Sequence, residues 1–62
     1  MSWQDRLRQE RAELALRLEA LIEFMKGDQV FQIPGPDQVL LLDQSVHMAK
    51  YLKVLDERVE RL

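Results

Sequence analysis

Pro34-Gly35-Pro36 constrains this chain more than any other stretch. Proline has no backbone N–H and disfavours helix in the residue before it, so a helix arriving from the N-terminal side must end ahead of the tripeptide. Pro36 also suits the first turn of a following helix, where its missing N–H would be unbonded anyway, and Asp37 adds a charge favourable at that terminus. The chain therefore reads as two long helices folded about one hinge.

Ser2 and Asp5 have the spacing of a capping box, which starts the first helix near Trp3. Leu7, Leu14, Leu18, Leu21 and Met25 then recur at helical spacing, and Arg6/Glu10 and Glu13/Arg17 are oppositely charged one turn apart. Gly27 supplies a stop after Lys26. The expected layout is one domain, 1–62, with a helix at about 3–26, a connector at 27–35 and a helix at about 36–61. Val30, Phe31 and Ile33 are too apolar for a solvated connector and are expected to fold back over the open end of the helix pair.

In the second helix Leu41, Ser45, Met48, Leu52, Leu55, Val59 and Leu62 alternate spacings of four and three, the pattern of a coiled-coil seam. Leu7, Arg11, Leu14, Leu18, Leu21 and Met25 form the matching seam of the first helix. Folding at the hinge pairs Leu7 with Val59, Leu14 with Leu52, Leu18 with Met48, Leu21 with Ser45 and Met25 with Leu41. On the flanks this register sets Glu10 beside Arg58 and Arg17 beside Tyr51, and opposite them Arg8 beside Asp56, Ala15 beside Ala49 and Ile22 beside Leu42. Exposed ion pairs contribute only about 0.2–1 kcal/mol each, so they fix register more than they stabilise.

A chain of 62 residues buries a small core, and without cysteine no disulfide can staple it. Association is the remaining source of buried surface. Ala12, Ala15 and Ile22 align with Val39, Leu42, Val46 and Ala49 as a second apolar face, over which two hairpins could close. Leu16, Leu40 and Val54 lie further round and allow larger assemblies. The expected fold class is all-α: an antiparallel, coiled-coil-like two-helix hairpin assembling into a helical-bundle homo-oligomer.

Composition removes several functions. Nine basic and eleven acidic residues are interspersed, which argues against DNA or RNA as a partner. No apolar run reaches the roughly 18 residues that span a membrane, and Met1-Ser2-Trp3-Gln4-Asp5-Arg6 lacks a signal-peptide layout, so a cytoplasmic location is expected. One histidine and no cysteine speak against a metal site, and Asp56, Glu57 and Glu60 lack convergent ligand spacing. Gly27 and Gly35 do not make a phosphate loop, and no cofactor is expected. His47 has Asp43 one turn before it and Tyr51 one turn after, but acid–base chemistry needs a pocket that a single hairpin does not make, so no enzyme is expected.

A stripe of Trp3, Arg6 and Arg17 with His47, Lys50, Tyr51 and Arg58 joins aromatic faces that can stack on a base to cations that can hold phosphate. Trp3, Arg6, Lys50, Tyr51 and Arg58 are its candidate ligand-binding residues. The competing reading is structural, with Arg17 and Tyr51 as a flank contact and Trp3 as a helix-end anchor. On this reading only an oligomer, by gathering copies of the stripe, makes a pocket.

Trp3, Arg6, Glu10, Leu14, Leu18, Leu21 and Phe24, then Phe31, then Leu41-Leu42, Gln44, Met48, Tyr51, Leu55 and Arg58 form a pattern that resembles small phage-encoded helical-hairpin proteins of the crAss-phage-related family. The likeness runs over nearly the whole chain, with Gln44, Met48, Tyr51 and Arg58 as its distinctive part; the Pro34-Gly35-Pro36 hinge lies outside it. The resemblance implies a phage or prophage origin and transfers no functional residue. By analogy with accessory phage proteins it points to countering host defence, by sequestering a nucleotide-derived signal between protomers in the host cytoplasm. The alternative is an inhibitor or adaptor that offers an apolar helix face to a host or phage protein.

Overall fold

The computed structural model describes residues 2–62 and contains two long helices joined by a short 3-10 segment, with no strand among the described residues. Helix α1 runs Trp3–Lys26, the 3-10 segment Asp28–Gln32 and helix α2 Gly35–Glu60. Together they form a hairpin with principal extents of 42 × 16 × 15 Å.

The helix ends follow from their local chemistry. Ser2 caps α1 by accepting on its Oγ from the Asp5 N–H at 3.2 Å, while its carbonyl accepts from Arg6 at 3.1 Å. Gly27 ends α1 in extended backbone, φ −87° and ψ 173°, not in the left-handed conformation of a glycine cap. Its N–H donates to the Phe24 carbonyl at 3.2 Å, and the chain passes directly into the 3-10 segment. Pro34 caps α2, its carbonyl accepting from the Asp37 and Gln38 N–H groups at 3.0 Å each. The Gln38 side chain reaches back and donates Nε2 to the Ile33 carbonyl at 2.9 Å, which ties α2 to the connector.

Of the apolar connector residues, Val30 is buried and Ile33 half-buried, as expected, but Phe31 is 74% exposed. The reason is phase: at three residues per turn, positions 30 and 33 eclipse on one face, and position 31 is turned about 120° away.

The core is the seam. Leu7, Leu14 and Leu55 form its buried centre, with Met48, Leu52 and Val59 packed against them. Leu18 is also buried, and Leu21, Met25 and Leu41 are half-buried toward the hinge. Ser45 is the buried polar member, and its hydroxyl donates to the Leu42 carbonyl one turn earlier at 2.7 Å. Leu62, assigned to the seam by spacing, lies past the end of α2 and stays 44% exposed.

Three of the expected flank contacts, Arg8–Asp56, Glu10–Arg58 and Arg17–Tyr51, are replaced by others. Asp56 accepts from Arg11 Nε at 2.6 Å, and Arg8 pairs within its own helix with Asp5 at 3.6 Å. Arg11 occupies a seam position, so its stem runs along the interface and its guanidinium emerges where Asp56 stands. Glu10 accepts from the Tyr51 hydroxyl and not from Arg58, which leaves Tyr51 away from Arg17; the latter pairs with Glu13 at 3.7 Å.

Candidate functional site

The two chain ends of the hairpin lie together, opposite the hinge. There α1 begins with Trp3 and α2 ends with Arg58 in its last turn, followed by Arg61 and Leu62. These four residues, floored by core residue Leu7, line an open cavity of about 350 Å³. That volume falls within the range of about 300–1,000 Å³ typical of small-molecule sites.

Each part of the lining has a local cause. The Ser2 cap fixes the first turn of α1, which presents the indole of Trp3, 60% exposed. Arg58 and Arg61 are three residues apart and therefore neighbours on the α2 surface. Arg61 closes α2, its N–H donating to the carbonyls of Arg58 and Val59. Neither guanidinium enters an ion pair among the described residues. The α1 N-terminus adds its partial positive charge at this end.

An indole face, an apolar floor and two guanidinium groups together suit a flat ring that carries an anion. An indole face can stack on such a ring, and guanidinium forks can hold phosphate or carboxylate oxygens in paired hydrogen bonds. Among the described residues, those lining the cavity are Trp3, Leu7, Arg58, Arg61 and Leu62, without a carboxylate, histidine or hydroxyl side chain. Among the described residues, no group of three or more His, Cys, Asp or Glu is placed to hold a metal ion.

The sequence-derived stripe is divided by this geometry. Trp3 and Arg58 meet at the cavity; Arg6 stands one helical turn from Trp3, outside the lining. Lys50 and Tyr51 lie seven to eight residues before Arg58, about 10–12 Å along α2 at 1.5 Å per residue. Tyr51 is occupied by Glu10, and His47 has no hydrogen bond to Asp43 or Tyr51. A pocket thus exists in one hairpin, without copies of the stripe being gathered. Arg61 and Leu62 were missed; the three-residue spacing from Arg58 was the available signal for Arg61.

The face expected to join protomers is open in the single chain. Ala12, Ile22, Val39, Leu42, Val46 and Ala49 are exposed and Ala15 is half-buried. No helix among the described residues is long and apolar enough to cross a membrane.

Comparison with known proteins bears on origin and family. The family model described as Sequestin matches residues 1–61. The chain is 29% identical over 59 residues to the "Uncharacterized 7.5 kDa protein in denB-rIIB intergenic region" of Enterobacteria phage T4, covering 95% of this chain and 92% of the phage protein. No solved structure matches. These findings support a small phage protein; a relation to crAss-phage proteins is not among what they show.

Proposed function

We propose, from the premise that the chain belongs to the Sequestin family, that it is a non-enzymatic phage protein that sequesters a nucleotide-derived defence signal in the host cell. The observation that carries this reading is the end cavity, where Trp3 stands with Arg58 and Arg61 over Leu7. Trp3 stacks on the base and the two arginines hold phosphate. The family name points to sequestration, and a phage relative fits an accessory role against the host.

A protein that acts by holding a ligand must be made in amounts comparable to that ligand, and a small chain serves that need. The protomers associate as a homo-oligomer through Ala12, Ala15, Ile22, Val39, Leu42, Val46 and Ala49. The test is calorimetric titration of the purified protein with cyclic dinucleotides, cyclic mononucleotides and ADP-ribose derivatives. Saturable binding of one class, with the ligand recovered unaltered, supports the reading; binding followed by turnover contradicts it.

One observation favours a second reading. Leu16, Leu40 and Val54 are 66%, 62% and 52% exposed and lie outside both the seam and the proposed protomer contact. They suit a host or phage protein docked on the outer face, and capture of a protein partner by a nucleotide-indifferent oligomer would favour it.

A further inference from the structure

The hinge tip carries the kind of group that the end cavity suits, an aromatic ring beside an anion. Asp28 and Phe31 stand three residues apart in the 3-10 segment. At three residues per turn they share one face of it, a carboxylate and a phenyl ring about 6 Å apart along its axis. Both are exposed, Phe31 by 74%. Asp28 enters no ion pair among the described residues, and Lys26, the cation nearest to it in sequence, is drawn to Glu23 at 3.5 Å. The tip is also held in place: Val30 and Ile33 turn inward on a second face, and Gln38 ties the connector to α2.

We infer that the hinge tip of one copy docks into the cavity between the chain ends of another, with Phe31 against Trp3 over Leu7 and the Asp28 carboxylate held by Arg58 and Arg61. The two ends match part for part. Two aromatic rings, each exposed in the free chain, leave water together. Two guanidinium groups outside any ion pair meet a carboxylate that is also outside one. No chain fills its own cavity, because tip and cavity lie at opposite ends of a hairpin 42 Å long, so the occupant is a second copy.

Such a contact is heterologous: one end of each copy meets the opposite end of the next, and the free tip and free cavity of any pair admit further copies in line. It is also weak. The end face of the hairpin measures 16 × 15 Å, far less than the roughly 800 Å² per partner that stable interfaces bury, so the contact forms and breaks with protein concentration. It uses none of the flank residues through which protomers associate side by side. A ligand in the cavity and a neighbour's tip exclude one another, so empty protein links end to end and loaded protein is released. That last consequence rests on the reading of the cavity given above; docking of the tip does not.

Trp3 is the single tryptophan, so a protein without it is silent in tryptophan fluorescence. The receiver in the test is Phe31→Ala, which keeps its cavity and has no tip ring. The titrant is Trp3→Ala/Arg58→Ala, which keeps its tip and has no working cavity. All three substituted side chains are exposed, and circular dichroism should show both proteins as helical as the wild type. Adding titrant to receiver should shift Trp3 emission to the blue, saturably, as the indole leaves water. A titrant that also carries Phe31→Ala or Asp28→Arg should lose the shift. Association through the flank is common to all titrants and cancels in the comparison. A shift of equal size with and without Phe31 in the titrant overturns the inference, as does no shift with the intact tip in large excess. No nucleotide enters this experiment, so docking of the tip and binding of a nucleotide hold or fail separately.

Discussion

Arg11 Nε donates to Asp56 Oδ1 at 2.6 Å, joining residues 45 positions apart across the helix seam. Both side chains are less than half exposed, at 42% and 43%, and Arg11 holds a seam position that, Ser45 apart, is apolar elsewhere. The pair thus fixes how far one helix is displaced along the other, at the cost of giving a seam position to a charged side chain.

Its two partners should respond differently to substitution. Asp56→Ala leaves a half-buried cation unpaired and should lower stability by about 1 kcal/mol, discounted for the exposure of the pair. Arg11→Leu replaces the cation with an apolar seam residue and should hold or raise stability. Urea unfolding at fixed protein concentration checks both; equal losses in the two variants would mean that the ion pair itself, not the seam position, sets the energy.

Leu55 is 1% exposed at the centre of the core, so Leu55→Ala should cost about 2–5 kcal/mol, much of what a domain this small possesses. Leu40→Ala, at a position 62% exposed, should change stability by less than about 0.5 kcal/mol. Thermal unfolding followed by circular dichroism separates them, since about 1 kcal/mol moves the midpoint by about 4–8 °C in a domain of this size.

Gly35 sits between two prolines and looks indispensable in the sequence, yet its φ is not positive and a Cβ placed there would meet nothing within 4 Å outside its chain neighbours. Gly35 nevertheless opens α2 directly ahead of Pro36, where a Cβ in helical conformation crowds the proline ring, so Gly35→Ala should lower stability despite the reduced freedom of the unfolded chain. A midpoint equal to or above the wild type in thermal unfolding would show that the Pro36 ring places no such demand on this position.

Much of the hairpin was readable because its core follows one period. Spacings of four and three place every seam leucine from Leu7 to Leu55 against the partner helix, and the proline hinge sets where the chain reverses. Phe31 was misjudged because the connector changes to a three-residue turn, and hydrophobicity alone does not give the phase of that change. Asp56 was given Arg8 and not Arg11 because flank positions were matched by level, whereas a long side chain in the seam can reach the flank. The end cavity was half readable. Trp3 and Arg58 were both singled out, but their meeting depends on the chain ends coming together in space, and Tyr51, grouped with them by residue type, is drawn to Glu10.

Ligand binding should follow the cavity and not the whole stripe. Arg58→Gln and Arg61→Gln should each weaken binding about tenfold or more, as loss of a charge-assisted hydrogen bond does. Tyr51→Phe, which removes only the contact with Glu10, should leave affinity within about twofold. Affinity in the wild type should also fall as salt rises, because the arginines proposed to hold phosphate are at the surface. Fluorescence of Trp3, the single tryptophan, supplies the readout for all of these.

The central claim is that the cavity between the chain ends binds a nucleotide-derived anion. Its most direct test is a calorimetric titration of wild-type protein and of Trp3→Ala/Arg58→Ala with the same nucleotide panel, each first shown by circular dichroism to be folded. Saturable binding of one nucleotide class by the wild type, lost in the double variant, is the predicted result. Binding that survives the double variant, or a folded wild type that binds no member of the panel, would contradict it.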